Sequence, residues 1–160
     1  MTSIDNRGYS FFEIVVVLVL SSILLFIIIS RVSTTDVELV SQSEVVKTHL
    51  RYAQAKAMAA DTIWGLHCDN SSTYWLFRDG STANRIHLPA EDADAVDLGS
   101  AGFSLEPFTL AFDSWGTPYT DAAATAGQEL TTSDAEADIT LTRSGKSRII
   151  TITPNTGFVP

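Results

Sequence analysis

Cys68 and the three histidines, His49, His67 and His87, are the side chains best suited to nucleophilic or soft-metal chemistry. A catalytic thiol needs a base in contact with it. His67 is next to Cys68, but alternation along a strand sends adjacent side chains to opposite faces. Cys68 therefore reads as a small buried core residue. As the only cysteine it forms no intrachain disulfide. The histidines lack ligand spacing, and each reads as a half-buried structural residue. No Gly-x-Ser-x-Gly, phosphate loop, Cys-x-x-Cys or His-Glu-x-x-His is present. No catalytic residue, cofactor or metal is expected, and the chain is not expected to be an enzyme. Carboxylates gather in two stretches, 89–100 with Glu91, Asp92, Asp94 and Asp97, and 120–138 with Asp121, Glu129, Asp134, Glu136 and Asp138. Calcium takes about six to eight oxygens, but neither stretch has the Asp-x-Asp-x-Asp-Gly spacing with a distal Glu, so both read as solvated loops.

One carboxylate stands apart. Glu13 immediately precedes the aliphatic run 14–29, which only Ser21 and Ser22 interrupt. An acid at that depth is expensive and is usually kept for a purpose. It gains most when a positive partner arrives, because an unpaired charge in a low-dielectric setting is costly. The alternative is a carboxylate near the interface that reaches headgroups. From Tyr9 to Ile29 is about 20 residues, which at roughly 1.5 Å each matches a hydrocarbon core of about 30 Å. Arg7 before the run places the N-terminus in the cytoplasm by the positive-inside tendency. A secretory signal carries its small-residue cleavage site after the apolar stretch. Ser30-Arg31-Val32-Ser33 offers none, so the segment is expected to stay as an anchor.

Gly8-Tyr9-Ser10-Phe11-Phe12-Glu13 followed by the aliphatic run resembles the type IV prepilin signature: Gly, then Phe, Thr or Ser, Leu, an aliphatic residue and Glu. Tyr9 stands where Phe is most usual and Phe11 replaces Leu; Gly8, Ser10 and Glu13 match. The resemblance implies a leader, 1–8, cut by a prepilin peptidase between Gly8 and Tyr9, with N-methylation of Tyr9. It also implies that Glu13 meets the Tyr9 amine of a neighbouring subunit in a growing filament. Gly102-Phe103-Ser104-Leu105-Glu106 looks similar, but Pro107 follows and no apolar run exists there; it reads as a strand.

Beyond the anchor, 9–30, Leu39, Val46, Leu50, Ala53 and Ala57 recur on one helical face. Neither Gly nor Pro interrupts 9–63. The simplest reading is one bent helix of about 50 residues, with 33–36 as a break and new N-cap. Strands are expected at 63–68, 73–77, 86–88 and 109–112, and a hairpin at 139–142 and 148–153 around Ser144-Gly145-Lys146. The fold class is α+β: a long N-terminal helix, membrane-spanning in its first half and amphipathic to about 61, on an antiparallel head within 31–160.

Three further segments extend the resemblance. Asp113-Ser114-Trp115-Gly116-Thr117-Pro118-Tyr119 resembles a loop of several pseudopilins and mannose-sensitive-haemagglutinin-type pilins. By itself it reads as a turn whose aromatics cap a sheet edge. Residues 51–57 and 150–157 are similar to the helix end and C-terminal strand of the GspH/FimT group of minor pilins and pseudopilins. Where that group often has Arg after the Gly, this chain has Phe158.

The expected role is a minor pilin or pseudopilin of a type II secretion pseudopilus or type IV pilus. It would sit in the bacterial inner membrane with its head in the periplasm. Its partners would be prepilin peptidase and other pilin subunits, met through apolar and aromatic head surface. The alternative is a signal-anchored periplasmic binding or enzyme domain that does not polymerise. The net charge of −9 argues against nucleic acid, which needs clustered cations. Arg143, Lys146 and Arg148 gather at one predicted turn, but the two acidic stretches and a C-terminus 157–160 without a base weigh against them.

Overall fold

The computed structural model describes residues 10–31, 34–131 and 138–160. It holds two compact units, Met1–Thr34 and Thr35–Pro160. The first contains helix α1 (Phe11–Arg31). Every side chain described in it, 11–26, is exposed. Ser22 Oγ donates to the Leu18 carbonyl at 2.7 Å, so this polar group is satisfied within the helix. Among the described residues no helix is long and apolar enough to cross a membrane. The part of α1 whose side chains are described, 11–26, rises about 24 Å at 1.5 Å per residue.

The second unit is built on helix α2 (Thr34–Ala60). The expected bent helix is described as two stretches, α1 and α2, and 32–33, beside the break expected at 33–36, lie outside the described residues. Asp36 lies in the first turn of α2, where a carboxylate is favoured by the helix dipole. Asp61, at φ 50°, turns the chain out of the helix in the left-handed region. Leu39, Val46, Leu50, Ala53 and Ala57 are all at most 3% exposed. Ser43 completes the stripe, fully buried, its Oγ donating to the Val40 carbonyl at 2.8 Å. That bond lets a hydroxyl stand in an apolar row without a desolvation penalty.

Strands follow as β1 (Trp64–Cys68), β2 (Thr73–Arg78), β3 (Ser81–Ile86), β4 (Val96–Asp97), β5 (Phe103–Leu105), β6 (Phe108–Phe112), β7 (Pro118–Tyr119), β8 (Asp138–Arg143) and β9 (Lys146–Thr151). The larger sheet runs β3-β2-β1-β6-β7 with β4 on β2, and the smaller runs β5-β8-β9. All pairings are antiparallel. Leu66, Cys68, Tyr74, Leu76, Leu110 and Phe112 share one core with the buried stripe of α2 and with Ile139, Leu141 and Ile150 of the smaller sheet. Trp75, Phe77 and Ala111 point the other way, under Ile63, Ala95, Tyr119 and Ala122. This two-sided burial explains why β2 reads as a nearly unbroken apolar run. Asp79–Gly80 and Ser144–Gly145 have positive φ at both residues, the geometry of two-residue hairpin turns. The expected strand at 86–88 is displaced: β3 is an edge strand of half-buried and exposed side chains ending at Ile86.

Candidate functional site

The residues expected to carry processing and assembly lie at the start of the chain. Gly8 and Tyr9 are outside the described residues. Glu13 lies in the first turn of α1. The Ser10 carbonyl accepts from the N–H groups of Glu13 at 2.9 Å and Ile14 at 3.2 Å. Ser10 therefore precedes the helix and Glu13 is its third residue. Ser-x-x-Glu is the spacing of a capping box, and a carboxylate there faces the positive end of the helix dipole. That local role was visible in the sequence beside the intermolecular one. Beyond Glu13 the described side chains of α1 are apolar except Ser21 and Ser22, and Phe11, Phe12 and Phe26 are between 73% and 83% exposed. A helix apolar all round finds its stable place inside an assembly or a bilayer.

A second constellation joins the three segments quoted for the resemblance. Gln54 of α2 donates through Nε2 to the Gly116 carbonyl at 3.0 Å and to the Thr156 carbonyl at 2.8 Å. Arg51 Nε donates to the Val159 carbonyl at 3.0 Å. The end of α2, the loop 113–119 and the C-terminal turn are thus held together by one amide and one guanidinium. Asp113 builds the loop: its Oδ1 accepts from the N–H groups of Trp115 and Thr117, each at 2.9 Å. The Tyr119 hydroxyl donates to Oδ2 at 3.3 Å. Gly157, at φ 63°, closes the junction, since a methyl there would lie 2.7 Å from the Gly116 carbonyl oxygen and 2.8 Å from Phe112 Cε1. The expectation that the loop aromatics cap a sheet edge fails for Trp115, which is 86% exposed. The hydrogen bonds spend the loop's polar groups and leave the indole outside.

The histidines are separate, as their spacing suggests. His49 is buried, not half-buried, and its Nδ1 is 2.8 Å from the Tyr74 hydroxyl. Burial holds His49 below the ordinary imidazole value, more than the neighbouring Glu91 and the Pro89 carbonyl raise it. Burial likewise pushes the Tyr74 hydroxyl up. His67 Nδ1 lies 2.7 Å from Thr109 Oγ1 and its ring sits edge-on to Trp75. His87 is exposed and pairs with Asp94 at 2.9 Å. Cys68 is buried, its thiol pushed up by desolvation, on the face opposite His67. Among the described residues no three His, Cys, Asp or Glu side chains are placed to hold a metal ion. Asp134 and Glu136 lie outside those residues.

The basic residues of the β8–β9 turn are engaged within the head. Arg143 pairs with Glu38 and lies over the Phe103 ring, and Lys146 pairs with Asp36 at 2.7 Å. Two of the three cations that could form a phosphate-binding patch are therefore neutralised by the start of α2. Pairs 105 and 110 residues apart leave no local signal in the sequence.

No protein-family model and no curated protein sequence matches the chain. Among solved structures it is similar to the type IV minor pilin FimU of Pseudomonas aeruginosa PAO1, with a TM-score of 0.51 and 16% identity over 79% of this chain and 90% of that one. At that identity the likeness is one of fold: this chain has the α+β fold of a type IV pilin, a helix on antiparallel sheets.

Proposed function

We propose that the chain is a minor pilin or pseudopilin, a structural subunit that assembles through α1 into a type IV pilus or a type II secretion pseudopilus. The observation that carries this reading is α1 itself: an apolar helix exposed at every described side chain, with one carboxylate in its first turn, joined in sequence to a head of type IV pilin fold. Such a surface is stable only when lipid or other helices cover it. The aliphatic run continues in sequence to Ile29, and counted from Tyr9 it reaches the roughly 30 Å of a hydrocarbon core. In this reading 1–8 is a leader, and 9–30 is an inner-membrane anchor before assembly and a filament-core helix after it. The head 31–160 faces the periplasm. Arg7 holds the N-terminus in the cytoplasm, where a prepilin peptidase cuts after Gly8 and methylates Tyr9. An anchored binding or enzyme domain would use Glu13 only as a helix cap, not as the partner of a neighbouring subunit's amine.

The test is the intact mass of the mature protein purified from membranes. The expected mass lacks residues 1–8 and carries one methyl group on Tyr9. An uncut chain, or a cut after Ile29, overturns the reading.

A further inference from the structure

We propose that the groove between the start of α2 and the first residues of β9 binds the phosphodiester headgroup of an anionic phospholipid, in the periplasmic leaflet of the membrane that holds the anchor. The inference rests on the anchored reading above and adds a lipid contact made by the head before assembly. The groove, of about 420 Å³, is lined by Asp36, Leu39, Val40, Lys146, Ser147 and Arg148. Side chains alternate along β9, and Ile150 is buried in the core shared with α2. Lys146 and Arg148 therefore lie on the same side as Ile150, toward α2. The turn that carries them is held at the start of α2 by the Arg143–Glu38 and Lys146–Asp36 pairs.

The charges of the groove match one phosphodiester. Lys146 and Arg148 against Asp36 leave a net charge of +1, on a chain whose net charge is −9. Lys146 bonds both Asp36 carboxylate oxygens at 2.7 Å, and an ammonium with three N–H donors has one left. That pair is about half exposed and is worth little in water, so it yields readily to a second oxygen. Arg148 forms no ion pair among the described residues. It reaches Glu44 only through its charge, and Lys47 already holds that carboxylate at 3.0 Å. A guanidinium free of a partner takes phosphate oxygens in pairs. Apolar surface adjoins the charges: Val37 and Val40, one turn apart on α2, are 60% and 42% exposed. Cations beside exposed aliphatic side chains are the pattern of a surface that lies on anionic lipid. Chain length allows the contact. Asp36 is seven residues beyond Ile29, where the aliphatic run ends. Seven residues span from about 10 Å as helix to about 25 Å extended, and the headgroup layer outside the hydrocarbon core is about 5–8 Å thick.

The test uses the full chain, isotope-labelled for NMR, in uncharged detergent micelles. It is titrated with short-chain phosphatidylglycerol, and in separate arms with the matching phosphatidylcholine and with inorganic phosphate. The amide resonances of Ser147 and Arg148 are expected to shift saturably with phosphatidylglycerol. Arg148→Gln and Lys146→Gln should each weaken that response about fivefold. Asp36→Asn, which raises the groove to a net charge of +2, should tighten it, a change of opposite sign that a merely structural role does not produce. All three positions are exposed, and far-UV circular dichroism checks that each variant is folded. An equal response to inorganic phosphate or to phosphatidylcholine overturns the assignment to anionic lipid. A flat titration, or one that the three substitutions leave unchanged in folded protein, overturns the site itself. A mature mass showing a cut after Ile29 sinks the anchored reading, whatever the groove does in micelles. The expected mature mass with a flat titration sinks only the groove.

Discussion

The His49–Tyr74 bond ties α2 to β2 with both groups buried, and it is the polar contact in the core whose loss should be felt most. Tyr74→Phe removes the hydroxyl and leaves the imidazole nitrogen desolvated without its partner. The expected cost is about 1–3 kcal/mol, read as a lower urea midpoint at unchanged slope. Trp64 supplies the contrast. Its Nε1 is buried with no partner among the described residues, so Trp64→Phe removes a donor that the fold already leaves unsatisfied. That change should stay within about 1 kcal/mol. The same residues set the pH profile. Burial holds His49 and His67 below the ordinary value of 6.5, so below that pH the unfolded chain binds more protons than the folded one. Their contribution is complete above pH 6.5 and is lost as pH falls below it. Burial raises Cys68 above its ordinary 9.0 and Tyr74 above its ordinary 10.0. There the unfolded chain ionises first, and stability falls as pH rises through that range. A plot of melting temperature against pH should show a plateau between these limits, and His49→Gln should flatten the acid side. An acid limb that persists unchanged in both His49→Gln and His67→Gln would sink this assignment.

At the scale of elements, the junction of α2, the loop 113–119 and the C-terminal turn depends on small residues at close approach. Gly157→Ala puts a methyl against the Gly116 carbonyl, Gln54 and Phe112 at a positive φ, and should destabilise by about 1–3 kcal/mol through overpacking and backbone strain. Loss of at least that much by chemical denaturation is expected, whereas the exposed substitution Gly102→Ala, with open space around it, should lose only the cost of its own φ. The elements also show where sequence reading succeeds. The stripe of α2 was legible because its period of 3.6 survives a single Ser at position 43 that bonds its own helix. The β8–β9 hairpin was legible because Ser144–Gly145 is a turn only such residues adopt readily. By contrast β3 is a polar edge strand without alternation, so apolar Ile86 and Leu88 drew the expectation two residues too far. The exposure of Trp115 was hidden as well: Trp-Gly-Thr-Pro-Tyr announces a turn but not which side of it faces solvent. The Arg143–Glu38 and Lys146–Asp36 pairs are products of tertiary structure alone.

For the whole molecule, the question is why a helix as apolar as α1 carries an acid at its start. Two roles compete, and their magnitudes differ. As the third residue of α1, Glu13 stabilises the N-terminal turn by about 0.3–1 kcal/mol through the helix dipole. As an unpaired charge among packed helices it would cost several kcal/mol, and a cation partner is needed to offset that. If the local role were the whole account, Glu13→Gln would serve nearly as well, because Gln also completes a capping box. If the carboxylate pairs with the Tyr9 amine of the next subunit, Gln fails: it keeps the acceptor oxygen but lacks the charge. Glu13→Ala and Glu13→Gln are both expected to leave the chain in the membrane, since removing an ionisable group eases insertion by up to about 2.5–3.5 kcal/mol at a helix centre and less near an end. Both are expected to be excluded from filaments, measured as the sheared or sedimentable fraction against membrane-retained protein. Glu13→Asp separates charge from reach: it keeps the charge on a side chain one methylene shorter and should assemble partially. Filament incorporation of Glu13→Gln at the level of the unaltered chain would leave Glu13 as a helix cap and remove charge pairing from the mechanism.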